Sequence, residues 1–480
     1  MRLACARSTR VRPLSRLTVV TLISVIVGGV PGIATATTPG SQLWAKRYNG
    51  PANLDDDGGA LGVSPDGSKV FVTGSSIGST SADDYATVAY DASTGDQLWA
   101  NRYNGPANRR DFAFALVVSP DGSELFVTGA SVGSTSDYDY DYATVAYDAS
   151  TGDQLWATRY SGPGSDYDQP TALGVGPDGS ELYVTGRSAG STSREDYATV
   201  AYDSSTGDQL WAKRYNGPGN DHDQATALGV SPDGSELYVT GQSAGSTIRY
   251  DYATVAYEAS TGAQLWVKRY DGPANRRDIA NALGVSPDGS NVFVTGYSKG
   301  GPTSRADYAT VAYDASTGAQ AWVNRYDGTA NRGDLAFALG VSPDGSEVFV
   351  TGASVGSRSG HDYTTIAYDA STGSQLWAKR FNGPGQYDFP SALGVSPDGS
   401  KVFVTGKSTG STSDSDYATV AYDASTGDQL WAKRFNGLGN YTDYATALGV
   451  RPGGAMVFVT GSTGSTSGPS DYTTVAYSIS

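Results

Sequence analysis

The chain has 480 residues, 49 acidic against 33 basic, a formal net charge of −16 and one cysteine, Cys5. A field of that sign is a poor partner for nucleic acid or anionic lipid, and a single thiol excludes a disulfide framework. Glycine at 62 positions, with abundant Tyr, Val and Thr, points to many short strands joined by tight turns.

Arg2, Arg7, Arg10, Arg12 and Arg16 flank and precede the apolar run "LTVVTLISVIVGGVPGIA", and Ala34 and Ala36 come after it in an A-x-A arrangement. This reads as a secretory signal peptide over 1–36. The competing reading, a membrane anchor, is opposed by Pro31 and the paired glycines that interrupt a run needing about 20 apolar residues to span. Cys5 precedes the apolar run, which disfavours a lipid anchor. Removing the five arginines takes the formal charge from −16 to about −21. The expected mature protein is therefore thiol-free, secreted or loosely held at the cell surface, and monomeric, a single domain over 37–480.

The mature chain is a repeat. Trp44, Trp99, Trp156, Trp211, Trp266, Trp322, Trp377 and Trp431 recur at spacings of 54 to 57 residues, and a fixed period of this length marks a solenoid or a propeller. In the first unit "ALGVSPDGSKVFVTG" from Ala60 predicts a hairpin, because Pro presets the first turn angle and Gly accepts positive φ. A polar loop leads to a third strand, "DYATVAYD" from Asp84, and an "ASTG" turn to a fourth, "DQLWAKRY" from Asp96. No segment carries a sustained helical period.

The ends of the repeat choose between the two architectures. The last unit stops after its third strand, while "SQLWAKRYNG" near the start is a fourth strand with no third before it. Joined, they complete an eighth blade, whereas a linear array wants polar caps. The prediction is an all-β, eight-bladed propeller of four-stranded antiparallel blades, closed by the N-terminal strand. The tryptophans then fill the wedges between blades, and Trp44, at the seam, is the costliest of them to lose.

The run A-x-D-x-x-T-G-x-x-x-W, seen as Ala89, Asp91, Thr94, Gly95 and Trp99 and repeated down to Trp431, resembles the tryptophan-docking motif of quinoprotein alcohol dehydrogenase-like propellers. Glu258 replaces the Asp in one copy and Ser478 in the last. The half-unit "VSPDGSKVFVTG" is similar to YVTN-type repeats. The resemblance implies eight blades. It also implies one of two activities: oxidation with pyrroloquinoline quinone and calcium, using an adjacent cysteine pair and a catalytic Asp, or cofactor-free binding, as in the assembly subunit of the outer-membrane barrel machinery. No mature cysteine is present, so none of that family's catalytic residues transfers; no cofactor is expected, although calcium stays open.

Two acidic sets are candidates. Asp56, Asp111, Asp168, Asp223, Asp278, Asp334, Asp388 and Asp443 each stand four residues before an "AL" pair. They form either a ligand-binding ring at the channel mouth or a set of turn braces accepting backbone N–H groups. Arg109, Arg110, Arg276, Arg277 and Arg332 lie in the same loops and are available to neutralise them. In "SDYDYDYA", Asp137, Asp139 and Asp141 alternate as ligands of a hard cation would on an extended chain, or else form a solvated acidic loop. His222 and His361 lack a nucleophile elbow and read as surface residues. Tyrosines beside carboxylates, as at Asp84 and Tyr85, suit sugar stacking or simple blade packing.

An enzyme needs different groups at different places around one substrate, and these repeats barely differ. The reading is a secreted, non-enzymatic binding or scaffolding module for an extracellular protein or carbohydrate. The alternative is a quinone- or metal-dependent oxidoreductase.

Overall fold

The computed structural model describes residues 38–79, 82–133, 139–164, 167–191, 194–245, 249–300, 305–330, 332–356, 360–410, 414–437, 440–464 and 469–479. They belong to one compact unit, Thr38–Ser480. Segment 1–36, expected from the sequence to be a signal peptide, lies outside the described residues. Among those residues no helix is long and apolar enough to cross a membrane.

Among the described residues, thirty-two strands, numbered β1 to β32 in chain order, form eight four-stranded antiparallel sheets. Blade one consists of β2 (Asp56–Val63), β3 (Lys69–Ile77), β4 (Asp83–Asp91) and β5 (Gln97–Tyr103), in that order. Blade eight is β30 (Asp443–Val450), β31 (Met456–Thr463), β32 (Asp471–Ser478) and, from the other end of the sequence, β1 (Gln42–Tyr48). Trp44 lies opposite Ala476 and Tyr48 opposite Tyr472 in that closing pair. The first strands of successive blades pack on one another all the way round, β30 meeting β2, so they are innermost and the ring is closed. Closure pairs the two ends of the chain within one sheet, and each blade keeps only a short inner and outer edge.

The recurring motif is explained by its contacts. Asp91 accepts the N–H groups of Ser93 and Thr94 at 2.9 Å, and Thr94 Oγ1 accepts Asp96 N–H at 3.1 Å, which fixes the turn into β5. Gly95 has φ +71° and lies under the Trp44 indole, where an added Cβ would come within 2.6 Å of the ring. Each tryptophan thus docks on the turn of the following blade, and Trp44 Nε1 donates to Ala92 O at 3.0 Å. At the seam Gly40 takes the place of this glycine beneath Trp431. The two ends therefore share a tryptophan dock as well as a strand ladder.

Between blades the core is Val, Ala, Tyr and Trp. Tyr85 is fully buried and donates to Ala143 O of the next blade at 3.1 Å, and Tyr472 does the same across the seam, to Ala86 O at 3.2 Å. Asp84 is 3% exposed. The expectation that Asp84 and Tyr85 could meet a sugar therefore gives way to the packing account, because neither side chain reaches solvent.

Candidate functional site

The topology gives the ring two unlike faces. One carries the Pro-Asp-Gly turns and the Ser-Thr-Gly turns of blades one to seven, with Pro452-Gly453-Gly454 in blade eight. The other carries the loops between blades and the variable loops between second and third strands.

On the first face the acids are turn residues. Asp66 accepts from the Ser64 hydroxyl at 2.6 Å and from Ser68 N–H at 2.9 Å, and these bonds, the Ser64 hydroxyl foremost, lower its pKa to about 2. Asp121, Asp233, Asp288, Asp344 and Asp398 repeat the arrangement and the shift to about 2. With Glu124, Glu181, Glu236 and Glu347 beginning the second strands, much of the excess negative charge collects here.

On the second face one of the eight ring aspartates stands at the start of each inner strand or, in blade three, one residue before it. All are at most 1% exposed. Their Oδ2 atoms accept the N–H of a glycine six or five residues back, Gly50 for Asp56, Gly105 for Asp111 and Gly383 for Asp388, at 2.6 to 2.8 Å. In Asp168 and Asp223 the other oxygen takes Ala189 or Ala244 N–H at 2.8 Å. The geometry is that of turn braces: the carboxylates face their own backbone, not the channel. Burial raises the pKa of all eight, to about 6 in Asp111 and Asp443.

Two of the loop arginines, Arg110 and Arg277, are engaged away from the ring aspartates. Arg110 lies 3.7 Å from Asp83, and the Arg277 guanidinium lies over the Tyr250 ring. Instead Arg102, on the outer strand β5, reaches inward to Asp84 Oδ2 at 2.8 Å, to Ser76 O at 2.6 Å and to the Ser76 hydroxyl, which in turn bonds Asp56. Arg159, Arg214, Arg269, Arg325, Arg380 and Arg434 make the same reach to Asp141, Asp196, Asp251, Asp307, Asp362 and Asp416. Arg47 with Asp471 completes the series at the seam. A signal for this brace is present in the sequence: an Arg always stands 18 residues after the Asp of "DYAT" in the internal copies.

The acidic loop in blade two is affected directly. Asp141 is committed to Arg159, Asp139 is partly exposed, and Asp137 lies outside the described residues. Carboxylates converge elsewhere: Asp251, Asp271 and Asp278 in one place and Asp307, Asp327 and Asp334 in another bring oxygens within 4.8 Å of one another. Asp271 and Asp327 occupy a position that is Asn49 or Asn104 in other blades. Their pKa values are raised, by burial first and by the neighbouring carboxylate second. Arg269 and Arg325 already contact these groups at 2.7 Å.

His222 bonds Glu195 at 3.1 Å and Arg194 at 3.0 Å. His361 is half-buried rather than a free surface residue: it stacks on Phe389 with centroids 4.8 Å apart, and burial lowers its pKa.

The blades differ most where the inner strands meet this mouth. The two alternate positions after the buried Asp are Phe112 and Phe114 in blade two, Gln169 and Thr171 in three, Gln224 and Thr226 in four and the buried Ile279 and the partly exposed Asn281 in five. In blades six to eight they are Leu335 and Phe337, Phe389 and Ser391, Tyr444 and Thr446. Where the second is Thr or Asn it clasps the next inner strand: Thr171 to Ala225 O at 2.8 Å, Asn281 to Ala336 O at 2.7 Å, Thr446 to Gly58 O at 2.8 Å. The variation has a four-blade period. Phe114 and Phe337, Pro170 and Pro390, and Arg187 and Lys407 are equivalents from opposite sides of the ring. The expectation that the repeats barely differ holds for the turn face and fails at this mouth.

A propeller of this geometry with tryptophan docks between blades defines a class, the quinoprotein-like eight-bladed ring. The chain belongs to the family whose model is described as outer membrane protein assembly factor BamB, matched over residues 28–190, 196–350 and 307–468. Among solved structures, the Dos1 propeller is similar at TM-score 0.55 and 11% identity, over 92% of this chain and 95% of that one. A quinohemoprotein alcohol dehydrogenase from Comamonas testosteroni is similar at TM-score 0.53 and 13% identity, over 91% and 76%. BamB from Moraxella catarrhalis aligns at TM-score 0.49 and 13% identity, over 91% and 99%. No match is found among curated proteins.

The quinone site that this likeness suggests is not matched by the residues present. The sequence has no cysteine besides Cys5. The ring carboxylates each give at least one oxygen to a backbone N–H group and are at most 1% exposed.

Proposed function

We propose that the protein is a secreted binding module that engages a carbohydrate or protein through the variable mouth, with no chemistry of its own. The observation that carries this is the placement of sequence variation. Side chains that differ from blade to blade gather on one face, whereas the other repeats one Pro-Asp-Gly turn in blades one to seven, with Pro452-Gly453-Gly454 in its place in blade eight. Recognition needs groups of different chemistry converging on one place. The mouth brings such groups together in Phe337, Phe389, Ser391 and Lys407, which line one cavity.

Purified protein mixed with pyrroloquinoline quinone and calcium is expected to gain no bound-cofactor absorbance and to reduce no dye with alcohols or sugars. On glycan and cell-wall arrays it is expected to bind, and the footprint of the bound ligand is expected at the mouth. A stable quinone band with turnover, or a footprint confined to the Pro-Asp-Gly turns, contradicts the proposal.

A further inference from the structure

The four-blade period makes the two halves of the mouth controls for each other. Between blades two and three, Phe114, Pro170 and Thr171 stand beside Arg187, and the Arg187 guanidinium and the Thr171 hydroxyl both have partners inside the protein. Arg187 bonds Gln169 at 2.8 Å and Glu195 at 3.3 Å, and Thr171 donates to Ala225 O. Between blades six and seven the equivalents are Phe337, Pro390, Ser391 and Lys407, and they line an open cavity of about 370 Å³ together with Phe389. Here the inner partners have gone: Gln169 has become Phe389, and Glu195, at the start of the third strand, has become Ser415.

Lys407 is exposed and makes no ion pair among the described residues; the Ser391 hydroxyl makes no hydrogen bond among them. Yet the ammonium is not adrift. It sits 5.3 Å above the Phe389 ring, whose position is fixed by the stacked His361. Holding the cation over an aromatic face lowers the entropy lost when an anion arrives. In an acidic protein, an unpaired ammonium held beside aromatic walls and a free hydroxyl has the chemistry of an anion receptor. The closed copy states what the ligand carries, since there a carboxylate fills the corresponding place.

Resting on the binding role above, we propose that the cavity between blades six and seven binds a ring-borne carboxylate, a uronic acid of an acidic polysaccharide. Lys407 pairs with the carboxylate, the Phe337 ring and Pro390 take the apolar face of the sugar ring, and Ser391 bonds a ring hydroxyl. The volume lies at the small end of ligand clefts, enough for one or two sugar units.

Calorimetric titration of the full chain with trigalacturonate, with neutral galactotriose and with benzoate tests this. Trigalacturonate is expected to bind and to weaken as salt rises, and galactotriose to bind at least about tenfold more weakly. Lys407→Gln and Ser415→Glu, which restores the closed copy's carboxylate, are each expected to weaken trigalacturonate at least about tenfold with no change in melting temperature. Lys407→Arg is expected to retain binding, and Lys401→Gln, on the other face, to change nothing. Benzoate binding without trigalacturonate would keep the ring-borne carboxylate and replace its sugar source by an aromatic acid. Equal binding of the neutral sugar, indifference to Lys407→Gln, or no binding of any probe overturns the proposal. An array ligand that footprints on the mouth but ignores Lys407→Gln would overturn this inference alone and leave the binding role standing.

Discussion

The two faces of the ring treat the same residue type in opposite ways. On the turn face, Asp66 and its counterparts hold two or more hydrogen bonds in the open, and their pKa falls to about 2. On the mouth face, Asp111 and Asp443 accept comparable bonds but are buried, and desolvation wins, raising the pKa to about 6. The turn face is therefore a solvated, uniform scaffold surface. The mouth face loses stability to buried charge, braces it with Arg102 and its equivalents, and varies at the innermost rim and in the loops between second and third strands.

The largest effect should come from the scaffold. Trp44→Ala removes both a wedge filler and a seam contact and is expected to cost about 3–5 kcal/mol, read as a loss of denaturant midpoint. A similar loss in a mouth variant such as Gln224→Ala would erase the distinction. Next in size, Arg102→Ala withdraws a guanidinium shared by Asp84, Ser76 and, through Ser76, Asp56. About 3 kcal/mol is expected from stranding buried acceptors, whereas Arg110→Ala, in the loop beside it, should be nearly silent.

Acidity should separate the faces in sign. For Asp111 and Asp443 the folded pKa is raised, so the folded chain holds the proton more tightly. Their cost is complete above about pH 6 and is relieved as pH falls from 6 toward the ordinary carboxylate value. For Asp66 and its counterparts the folded pKa is depressed, so their contribution is full above the ordinary value and lost as pH falls toward 2. Chemical denaturation is thus expected to show rising stability from pH 7 to about 5 and falling stability below about 4. In Asp111→Asn the rise should shrink, and in Asp66→Asn the low-pH fall. The smallest effect is expected at Asp271→Asn, which relieves repulsion with Asp251 and Asp278. The gain at neutral pH should be about 0.5 kcal/mol or less, since Asp271 is solvent-screened, and should vanish below the ordinary carboxylate pKa.

The ring is legible in the sequence because closure leaves a mark there: a fourth strand at Gln42 without a third, and a third at Asp471 without a fourth. The tryptophan docks are legible because Asp91, Thr94 and Gly95 are local turn chemistry with short sequence spacing. The Arg102–Ser76–Asp84 brace is not, although its spacing is regular, because it joins the outer strand to the inner end of two others and shows only when three strands are stacked. The ring aspartates stand out as a set, but their exposure depends on where Gly50 and its equivalents turn, which spacing does not fix. The four-blade period at Phe114 and Phe337 is hidden for a different reason: it rests on a few residues inside a much stronger one-blade repeat.

The division of labour between the faces is tested most directly by blocking each in turn. With Cys5 removed by processing or substitution, Ser391→Cys and Ser180→Cys each place one exposed thiol, at the mouth and on the turn face, for coupling to a bulky maleimide. On the glycan and cell-wall array, the block at 391 is expected to abolish binding and the block at 180 to leave it intact; binding that survives the first and disappears with the second would contradict the account.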